Sequence, residues 1–426
     1  MRTARRALTL GSLFDGIGGF CLASQQAGIT PVWAAEIEPF PLLVTERRFP
    51  DVMQLGDVCA INGADIPAVD IVSFGSPCQN LSMAGNRKGL SGEQSSLFFE
   101  AIRIIKEMRS ESNGKQPRWV VFENVPGALS ANNGQDFQSI LQSLISISDR
   151  QAVIPMPETG KWIGAGEIMG DHYSLAWRIL DAAKGWGVPQ RRRRIFAILD
   201  LDGSSAGQIL FESEGLSRYS PPHTAKRKKI AGSSDKSFAA ASGGIVLNDQ
   251  GGNAIGITHE QTATLRAQMH AHLPLILNHQ HRDVHTLSFS MGLFSYAEDI
   301  APTLMAHDAK GPPVVRADDG LAVRRLTPDE CCRLQGYPDG WCRNLEIRHP
   351  TNQEILHWKH IYETWDTVQG RIHPRTEKQI IKWLQNPNTD AAEYKAYGNS
   401  VAVPCVFFVL AGIVWAAGKE KYHEIE

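Results

Sequence analysis

The stretch that decides the fold lies near the N-terminus, spans Leu8–Gly19 and reads LTLGSLFDGIGG. Its first half is an apolar run typical of a buried strand, and its second half is a glycine turn that opens a helix ending near Gly28. Glycines between a strand and a helix let backbone N–H groups approach a ligand at the positive end of the helix. Their spacing is not that of the dinucleotide fingerprint. The stretch therefore predicts the first strand, ligand-binding turn and helix of an α/β fold.

Strand-like and helix-like patterns alternate over the first two hundred residues. Further strands are predicted at 32–35, 70–74, 119–122, 175–179 and 194–199, with a helix over 95–108. Strands that alternate with helices form a mostly parallel sheet with helices on both faces. We therefore predict the α/β class.

The composition is that of a globular protein with two domains, or one large domain with insertions. The chain has 426 residues, of which 42% are hydrophobic and 21% charged. Its seven cysteines contain no Cys-x-x-Cys pair, which argues against a zinc ribbon or a disulfide scaffold. The apolar stretch 401–417 is interrupted by Pro404 and Gly412, so we interpret it as a buried helix and not as a membrane span. We expect a cytoplasmic protein without a signal peptide, membrane association or a metal.

Chemically reactive side chains come at the ends of three predicted strands. Glu36 ends the second strand, Cys78 follows the third in the sequence GSPCQ, and Glu123 ends the fourth. The carboxyl ends of parallel strands meet at one edge of the sheet, so we expect these residues to face one crevice. Glu36 is placed to accept ribose hydroxyls and Asp57 an adenine amino group, while a thiol at this edge is a candidate nucleophile. The pattern predicts an active site beside an adenosine-containing cofactor.

A basic run, Gln190–Arg194, precedes the last predicted strand. Alternate residues of a strand face the same way, so Gln190, Arg192 and Arg194 share one face and Arg191 and Arg193 the other. The run is either a solvated surface or an anion contact. With a net charge of −2, any nucleic-acid surface must be a local patch, such as 191–194 or 226–229.

The composition changes after residue 201. Residues 202–244 are rich in Gly, Ser, Ala and Lys and indicate a linker, and 245–320 indicate short strands and irregular loops. A short Thr-Leu-x-Ala repeat occurs at 264–267 and 303–306.

Residues 327–330 form a predicted capping box, and 341–390 carry four tryptophans that indicate a helical insertion. The five histidines between 270 and 285 have irregular spacing and no cysteine partners, so we interpret them as loop residues.

Six motifs together resemble the DNA (cytosine-5)-methyltransferase family of bacterial and phage type. They are, in chain order, FDGIGG at 14–19, SPCQ at 76–79, ENV at 123–125, QRRRR at 190–194, RLTPDECCRLQG at 325–336 and YGNSV at 397–401. Their order and spacing agree with the family over nearly the whole chain. The resemblance implies a Rossmann-like, S-adenosyl-L-methionine-dependent methyltransferase sheet with a smaller, irregular target-recognition domain.

The resemblance also implies roles for individual residues. Cys78 is the expected nucleophile and Glu123 the acid at ring nitrogen 3. Arg192 is expected to brace the base carbonyl or the nearby backbone, and Arg194 to support that arrangement. The residues expected to line the cofactor pocket are Phe14, Gly16, Ile17, Gly19, Glu36, Asp57, Leu97, Asn399 and Val401. The residues expected to contact DNA are Gln79, Ser82, Asn124, Gln190, Thr264, Leu265, Thr303 and Leu304, and either Thr-Leu pair can be the functional one.

The family pattern divides the chain into discontinuous parts. The expected parts are a first catalytic and cofactor-binding segment (1–201), the linker and target-recognition domain (202–323), a supporting helix (324–340), the helical insertion (341–390) and a C-terminal segment that completes the catalytic domain (391–426). The segment 341–390 departs from the compact family pattern. We expect a monomer that acts on double-stranded DNA.

The expected reaction is transfer of a methyl group from S-adenosyl-L-methionine to carbon 5 of a flipped-out cytosine in a specific DNA sequence, through a covalent Cys78 adduct. The alternatives are an RNA cytosine-5 methyltransferase, a catalytically silent DNA-binding protein and a nicotinamide oxidoreductase. The last does not account for Cys78 and Glu123 together. The target sequence, the base that removes the carbon 5 proton, and a role in restriction–modification or as a solitary or phage-borne enzyme stay open.

Overall fold

The architecture is taken from a computed structural model. It describes residues 6–76, 96–183, 188, 190–211 and 327–423, together with the backbone of six strands between 245 and 325. The large sheet contains β1 (Thr9–Leu13), β2 (Thr30–Ala35), β3 (Met53–Gln54), β4 (Ile71–Phe74), β5 (Trp119–Asn124), β6 (Ala165–Met169), β7 (Ser174–Asp181) and β8 (Arg193–Asp200). The helices that flank it are α1 (Gly19–Gln26), α2 (Pro39–Arg48), α3 (Ser96–Glu111), α4 (Gln135–Ile145) and α5 (Ala206–Phe211).

The eight strands lie in the order β3-β2-β1-β4-β5-β8-β7-β6. The pairs from β3 to β5 are parallel, whereas β8, β7 and β6 add to the sheet in antiparallel fashion. The predicted α/β class is confirmed, and the mostly parallel character holds for one half of the sheet. The other half differs because β6 and β7 are joined by residues 170–173 alone, and a parallel pair needs a crossover of a dozen or more residues.

Two hydrophobic cores cover the two faces of the sheet. On one face, α1 and α5 pack against the long C-terminal helix α10 (Val403–His423). On the other face, α3 and α4 supply side chains such as Phe98, Ile105 and Phe137. The C-terminal helix thus lies in the same core as α1 and α5, the first helix of the chain and the helix that follows β8.

Within the described residues, one stretch near the C-terminus has the length and apolar composition of a membrane span. This stretch covers residues 390–418, and 67% of its most apolar window is buried inside the protein. A mostly buried core helix of a globular protein has this same character. The burial agrees with the predicted buried C-terminal helix.

The remaining helices of the described chain follow residue 327. They are α6 (Pro328–Leu334), α7 (Asn352–Val368), α8 (Glu377–Gln385) and α9 (Asp390–Asn399). The predicted capping box of α6 is present, since the Thr327 hydroxyl accepts from the Glu330 N–H and the Glu330 carboxylate accepts from the Thr327 N–H. In the insertion, Trp358 and Trp383 lie with ring centroids 5.2 Å apart, so its aromatic residues form a core.

The insertion packs on helix α2, which follows the predicted ribose-binding acid. His357 Nε2 of α7 is hydrogen-bonded to Glu46 Oε1 of α2 at 2.8 Å, and Arg48 donates to the carbonyl oxygens of Gly340 and Trp341 at the start of the insertion. The insertion therefore braces the outer side of the cofactor half of the sheet.

Six further strands are described by their backbone. Strands β9 (Ile245–Asp249), β10 (Ile255–His259), β11 (Leu275–Asn278) and β14 (Ala322–Arg325) form an antiparallel sheet in the order β10-β9-β11-β14, and β12 (Thr286–Ser290) pairs with β13 (Leu293–Ala297). Five of these six strands, β9 to β13, are short strands of the kind expected in 245–320, and β14 follows that range. The Thr-Leu pairs at 264–265 and 303–304, the five histidines and the basic cluster 226–229 lie outside the described residues. The division of the chain into domains stays a prediction.

Candidate active site

The glycine turn between β1 and α1 has the geometry that its sequence predicts. Gly16 and Gly18 have φ values of 59° and 84°, in the left-handed region that favours glycine. The space in front of Gly16 is open, because a Cβ built there meets no atom within 4 Å. Phe14 also has a positive φ of 57°, a conformation uncommon for a bulky residue. The turn thus presents backbone to open space at the start of a helix.

Glu36 closes this turn from the end of β2. Its carboxylate accepts the Gly16 N–H at 3.0 Å and the N–H groups of Ile37 and Glu38 at 2.8 Å each. Burial raises the pKa of Glu36 to about 7, and the three N–H donors partly oppose this rise. A carboxylate has about four lone-pair positions, so an ionised Glu36 can still accept from a ligand hydroxyl.

Asp15 lies buried beneath the start of α1, a position that sequence reasoning missed. It is 5% exposed, and its Oδ1 accepts the Ser12 hydroxyl at 2.7 Å. Burial raises the pKa of Asp15 to about 6. The FDGIGG motif contains this residue, but only the packing of α1 over the turn makes it a buried acid.

Residues more than three hundred positions away hold the glycine turn in place. The indole N–H of Trp341 donates to the carbonyl of Ile17 at 2.8 Å. A Cβ added to Gly19 would lie 2.5 Å from Val401 Cγ2 and 2.6 Å from the Tyr337 hydroxyl. The turn, the end of the supporting helix and the closing GNSV motif are therefore in direct contact.

The other predicted cofactor residues occupy varied positions. Asp57 caps a short 3-10 turn, where its Oδ1 accepts the Cys59 N–H at 2.9 Å. Leu97 lies in the first turn of α3 and packs partly buried against the second core. Asn399 is exposed at the end of α9 and Val401 is partly buried two residues later. Their roles toward a cofactor stay predictions.

Glu123 lies at the carboxyl end of β5 beside Arg194. The Arg194 Nε is 3.0 Å from Glu123 Oε1, and the two side chains are 15% and 8% exposed. Gly75, which follows β4, lies against the same carboxylate, because a Cβ added there would be 3.0 Å from Glu123 Oε2. The acid, the arginine and the chain that leads to Ser76 thus meet at one edge of the sheet.

The basic run shows the predicted alternation. Gln190 and Arg192 are buried and Arg194 is partly buried, whereas Arg191 and Arg193 are exposed. Arg192 donates to the Gly398 carbonyl at 3.4 Å and also to the Ser400 carbonyl. Arg192 thus contacts the backbone of the closing motif.

Two buried amide side chains, those of Asn124 and Gln190, carry polar atoms that find no hydrogen-bond partner within the described residues. These atoms are Asn124 Nδ2 and both side-chain amide atoms of Gln190. Buried amides are normally paired, so such atoms indicate a partner outside the described structure. Both residues were predicted to contact substrate.

Several predicted site residues lie outside the described residues: Cys78, Gln79, Ser82, Thr264, Leu265, Thr303 and Leu304. Their roles stay predictions. In the part of the chain that the structure describes, no group of three or more His, Cys, Asp or Glu side chains is arranged to hold a metal ion.

Comparison with known proteins connects this site to one family. The sequence model of the C-5 cytosine-specific DNA methylase family matches residues 8–148 and 162–348. The type II methyltransferase M1.ScrFI of Lactococcus lactis subsp. cremoris is 24% identical, and the match covers 96% of this chain and 78% of that protein. These matches confirm the family predicted from the six motifs.

A phage relative is more similar in sequence but is named for a different activity. The DNA N-6-adenine-methyltransferase of Escherichia phage P1 is 30% identical, and the match covers 98% of this chain and 62% of that protein. The chain spans about two fifths to three fifths of the length of the first curated relatives that it matches.

A solved structure supports the fold. The Dnmt2 methyltransferase of S. pombe has a TM-score of 0.51 at 15% identity, with 95% of this chain and 97% of that chain covered. At this identity the likeness concerns the fold alone. It confirms the predicted Rossmann-like fold.

Proposed function

We infer the reaction from one premise: the chain belongs to the C-5 cytosine-specific DNA methylase family. We propose that the protein transfers a methyl group from S-adenosyl-L-methionine to carbon 5 of a flipped-out cytosine within a specific double-stranded DNA sequence. In this proposal the nucleophile is Cys78, and the protein acts as a monomer.

The observation that carries the proposal is the meeting of Glu123, Arg194 and Gly75 at one edge of the sheet. Cys78 follows Gly75 by three residues, and an extended chain spans at most about 3.3–3.6 Å per residue, so its Cα is within about 11 Å of the Gly75 Cα. This limit keeps Cys78 in the neighbourhood of this edge, and in the proposal its thiol acts on the same six-membered ring as the acid and the cation. This is the set that addition to a pyrimidine requires.

The glycine turn fits an adenosine cofactor. The open space at Gly16, the backbone N–H groups at the start of α1 and the Glu36 carboxylate together provide donors and an acceptor around a cradle that a Cβ would fill. Glu36 and Asp57 would hold the ribose and the adenine, and Phe14, Leu97 and Val401 would supply apolar walls. S-adenosyl-L-methionine, when bound, supplies an electrophilic methyl group on a sulfonium centre.

Carbon 5 of cytosine is a weak nucleophile until the ring is activated. The Cys78 thiolate forms a bond to carbon 6, and the displaced ring electrons make carbon 5 electron-rich. Glu123 delivers a proton to ring nitrogen 3 and neutralises the negative charge that develops there. A positioned acid of this kind contributes about a hundredfold to ten-thousandfold in rate. After carbon 5 is methylated, a base removes the carbon 5 proton, and the electrons of that bond form the carbon 5–carbon 6 double bond as the sulfur–carbon bond breaks and the Cys78 thiolate leaves. The proton on ring nitrogen 3 returns to Glu123, which restores the neutral ring and the acid.

The two inward-facing arginines have different tasks in this proposal. Arg194 contacts Glu123 and would hold the carboxyl group in position, and its guanidinium would also brace the base carbonyl. Arg192 fixes the backbone of the closing motif through the Gly398 and Ser400 carbonyls. In this proposal Arg194 acts on the substrate, and Arg192 acts through the backbone of the closing motif.

The base must leave the duplex to reach this edge, which costs a few kcal/mol. The buried amides Asn124 and Gln190 would contact the extruded nucleotide, and the exposed Arg191 and Arg193 would contact phosphates. The region 202–323 would recognise the DNA target sequence, and one of the two Thr-Leu pairs would contact base edges in a DNA groove.

Adenine methylation is a second candidate, because the phage relative carries that activity in its name. Methylation of an exocyclic amine uses the nitrogen lone pair and needs no covalent thiol, so it leaves Cys78 and Glu123 without a task. In addition, the match leaves more than a third of the phage protein uncovered. The arrangement of this site therefore favours cytosine.

Nucleoside analysis of methylated substrates tests the proposal. The purified protein is incubated with labelled S-adenosyl-L-methionine and either plasmid DNA or transfer RNA, and the digested nucleosides are identified by mass spectrometry. We expect 5-methylcytosine in DNA. N6-methyladenine in DNA, or 5-methylcytosine in RNA alone, would contradict the proposal, and DNA that contains 5-fluorocytosine at the target should trap the protein covalently unless Cys78 is replaced by alanine.

A further inference from the structure

The turn Gly398–Val401 connects three parts of the protein. The side chain of Gln335, at the end of α6, donates to the Tyr397 carbonyl at 2.9 Å, and the Val403 N–H donates back to the Gln335 carbonyl at 2.9 Å. Arg192 binds the carbonyl oxygens on another side of this turn. The turn is therefore fixed to the supporting helix and to the start of β8.

Tyr337 adds the connection from this turn to the glycine turn. Its ring is fully buried and lies 5.3 Å from the Trp341 ring, measured between centroids. Its hydroxyl is hydrogen-bonded to Ser400 Oγ and lies beside Gly19, where an added Cβ would be 2.6 Å away. No atom larger than hydrogen fits between the hydroxyl and the start of α1.

The direction of the hydrogen bond follows from its neighbours. The Ser400 hydroxyl donates to the Val401 carbonyl at 3.3 Å, so its oxygen is free to accept from Tyr337. Burial raises the pKa of Tyr337 well above its ordinary value, so the phenol keeps its proton and can donate. Tyr337, in the supporting segment, is therefore the donor, and Ser400, in the closing motif, is the acceptor.

We propose that Tyr337 is a positioning residue for the cofactor, whose hydroxyl sets the spacing between the glycine turn at Gly19 and the closing turn at Ser400. The inference rests on the proposed function, because both turns would line the S-adenosyl-L-methionine pocket. In this proposal Tyr337 acts through the two turns and not by contact with the base or the cofactor.

The substitution Tyr337→Phe removes the hydroxyl and keeps the ring packing. A net hydrogen bond corresponds to about a fivefold change in an equilibrium constant, so we expect the Kd and the KM for S-adenosyl-L-methionine to rise about fivefold. We expect kcat and the KM for DNA to stay within about twofold, since the Glu123–Arg194 pair is not altered. Calorimetry and steady-state kinetics with the full chain measure these quantities.

A second variant and a control keep the result interpretable. Ser400→Ala removes the same bond from its other end, and the double variant should be no weaker than either single variant if both act through that bond. Tyr362→Phe removes a phenol hydroxyl from the core of the insertion, where Arg375 stacks on the ring, and should leave cofactor affinity unchanged.

Three results would overturn the inference: a cofactor Kd within twofold of wild type in both single variants, additive losses in the double variant, or an equal rise in the KM for DNA. A wild-type protein that binds no S-adenosyl-L-methionine would instead refute the proposed function itself. The two failures are therefore distinguishable.

Discussion

Replacement of Gly19 by alanine is a sharp test of the contact between the two turns. Gly19 has no positive φ, so alanine meets no backbone penalty there. The new Cβ would, however, lie 2.5 Å from Val401 Cγ2 and 2.6 Å from the Tyr337 hydroxyl. Carbon contacts are optimal at about 3.5–4.0 Å, so the closing turn or the tyrosine must retreat by about 1 Å.

Gly19→Ala should lower the methylation rate far more than it lowers the stability of the fold. Overpacking of this kind costs about 1–3 kcal/mol, and the higher helix propensity of alanine returns up to about 1 kcal/mol. We therefore expect a loss of about 1–2 kcal/mol in the free energy of unfolding, which lowers the Tm by a few degrees. A displacement of 1 Å in an active site can reduce the rate about a hundredfold. Methylation should accordingly fall by at least tenfold in a protein that remains folded.

The assay compares Gly19→Ala with Gly164→Ala by thermal unfolding, cofactor calorimetry and methyl transfer. Gly164 is a matched control because it lies beside the far edge of the sheet, and its added Cβ would meet the flexible end of Ile179 at 3.0 Å. We expect the control to keep cofactor affinity within about twofold. If Gly19→Ala bound S-adenosyl-L-methionine as tightly as wild type, the proposed packing of the closing turn on the cofactor turn would be refuted.

Three further predictions follow from the same contacts. Because burial raises the pKa of Glu36 to about 7 and the ionised form accepts ribose hydroxyls, cofactor affinity should rise about tenfold from pH 6 to pH 8, where the carboxylate becomes ionised; calorimetry at both pH values should show no such rise in Glu36→Gln. Arg194→Lys removes the planar fork beside Glu123 and should reduce kcat at least tenfold while the cofactor Kd is unchanged; a parallel loss of cofactor binding would contradict the assigned role. Trp341→Phe deletes the 2.8 Å hydrogen bond to the Ile17 carbonyl and should weaken cofactor binding about fivefold, and an unchanged Kd would show that this bond does not hold the glycine turn.

Much of the fold and of the site was predictable because local patterns encode it. The glycine turn, the strands around it and the strand-end acids Glu36 and Glu123 follow from strand and helix patterning and from the rule that parallel strands end at one edge. The inward placement of Gln190, Arg192 and Arg194 follows from the twofold period of an extended chain.

Other elements escaped prediction for definable reasons. Strand β3 has only two residues, and edge strand β6 contains glycine and glutamate in place of an apolar alternation. Helix α2 contains Pro39 and Pro41 in its first turn, where proline is tolerated but obscures the helical pattern. The antiparallel half of the sheet depends on connection length, which pattern alone does not fix.

The contacts that hold the site together join residues that are distant in sequence. Trp341 binds Ile17 and Arg192 binds Ser400, across more than two hundred residues in each case. No local pattern encodes such pairs, because they depend on how the C-terminal segment returns to the sheet.

The most direct test of the central claim is bisulfite sequencing of plasmid DNA from cells that express the wild type or Cys78→Ala. The account predicts that cytosines within one short sequence motif are protected from conversion by the wild type and converted with Cys78→Ala. Complete conversion in both, with soluble and folded protein, would contradict cytosine methylation of DNA, and equal protection in both would contradict Cys78 as the nucleophile.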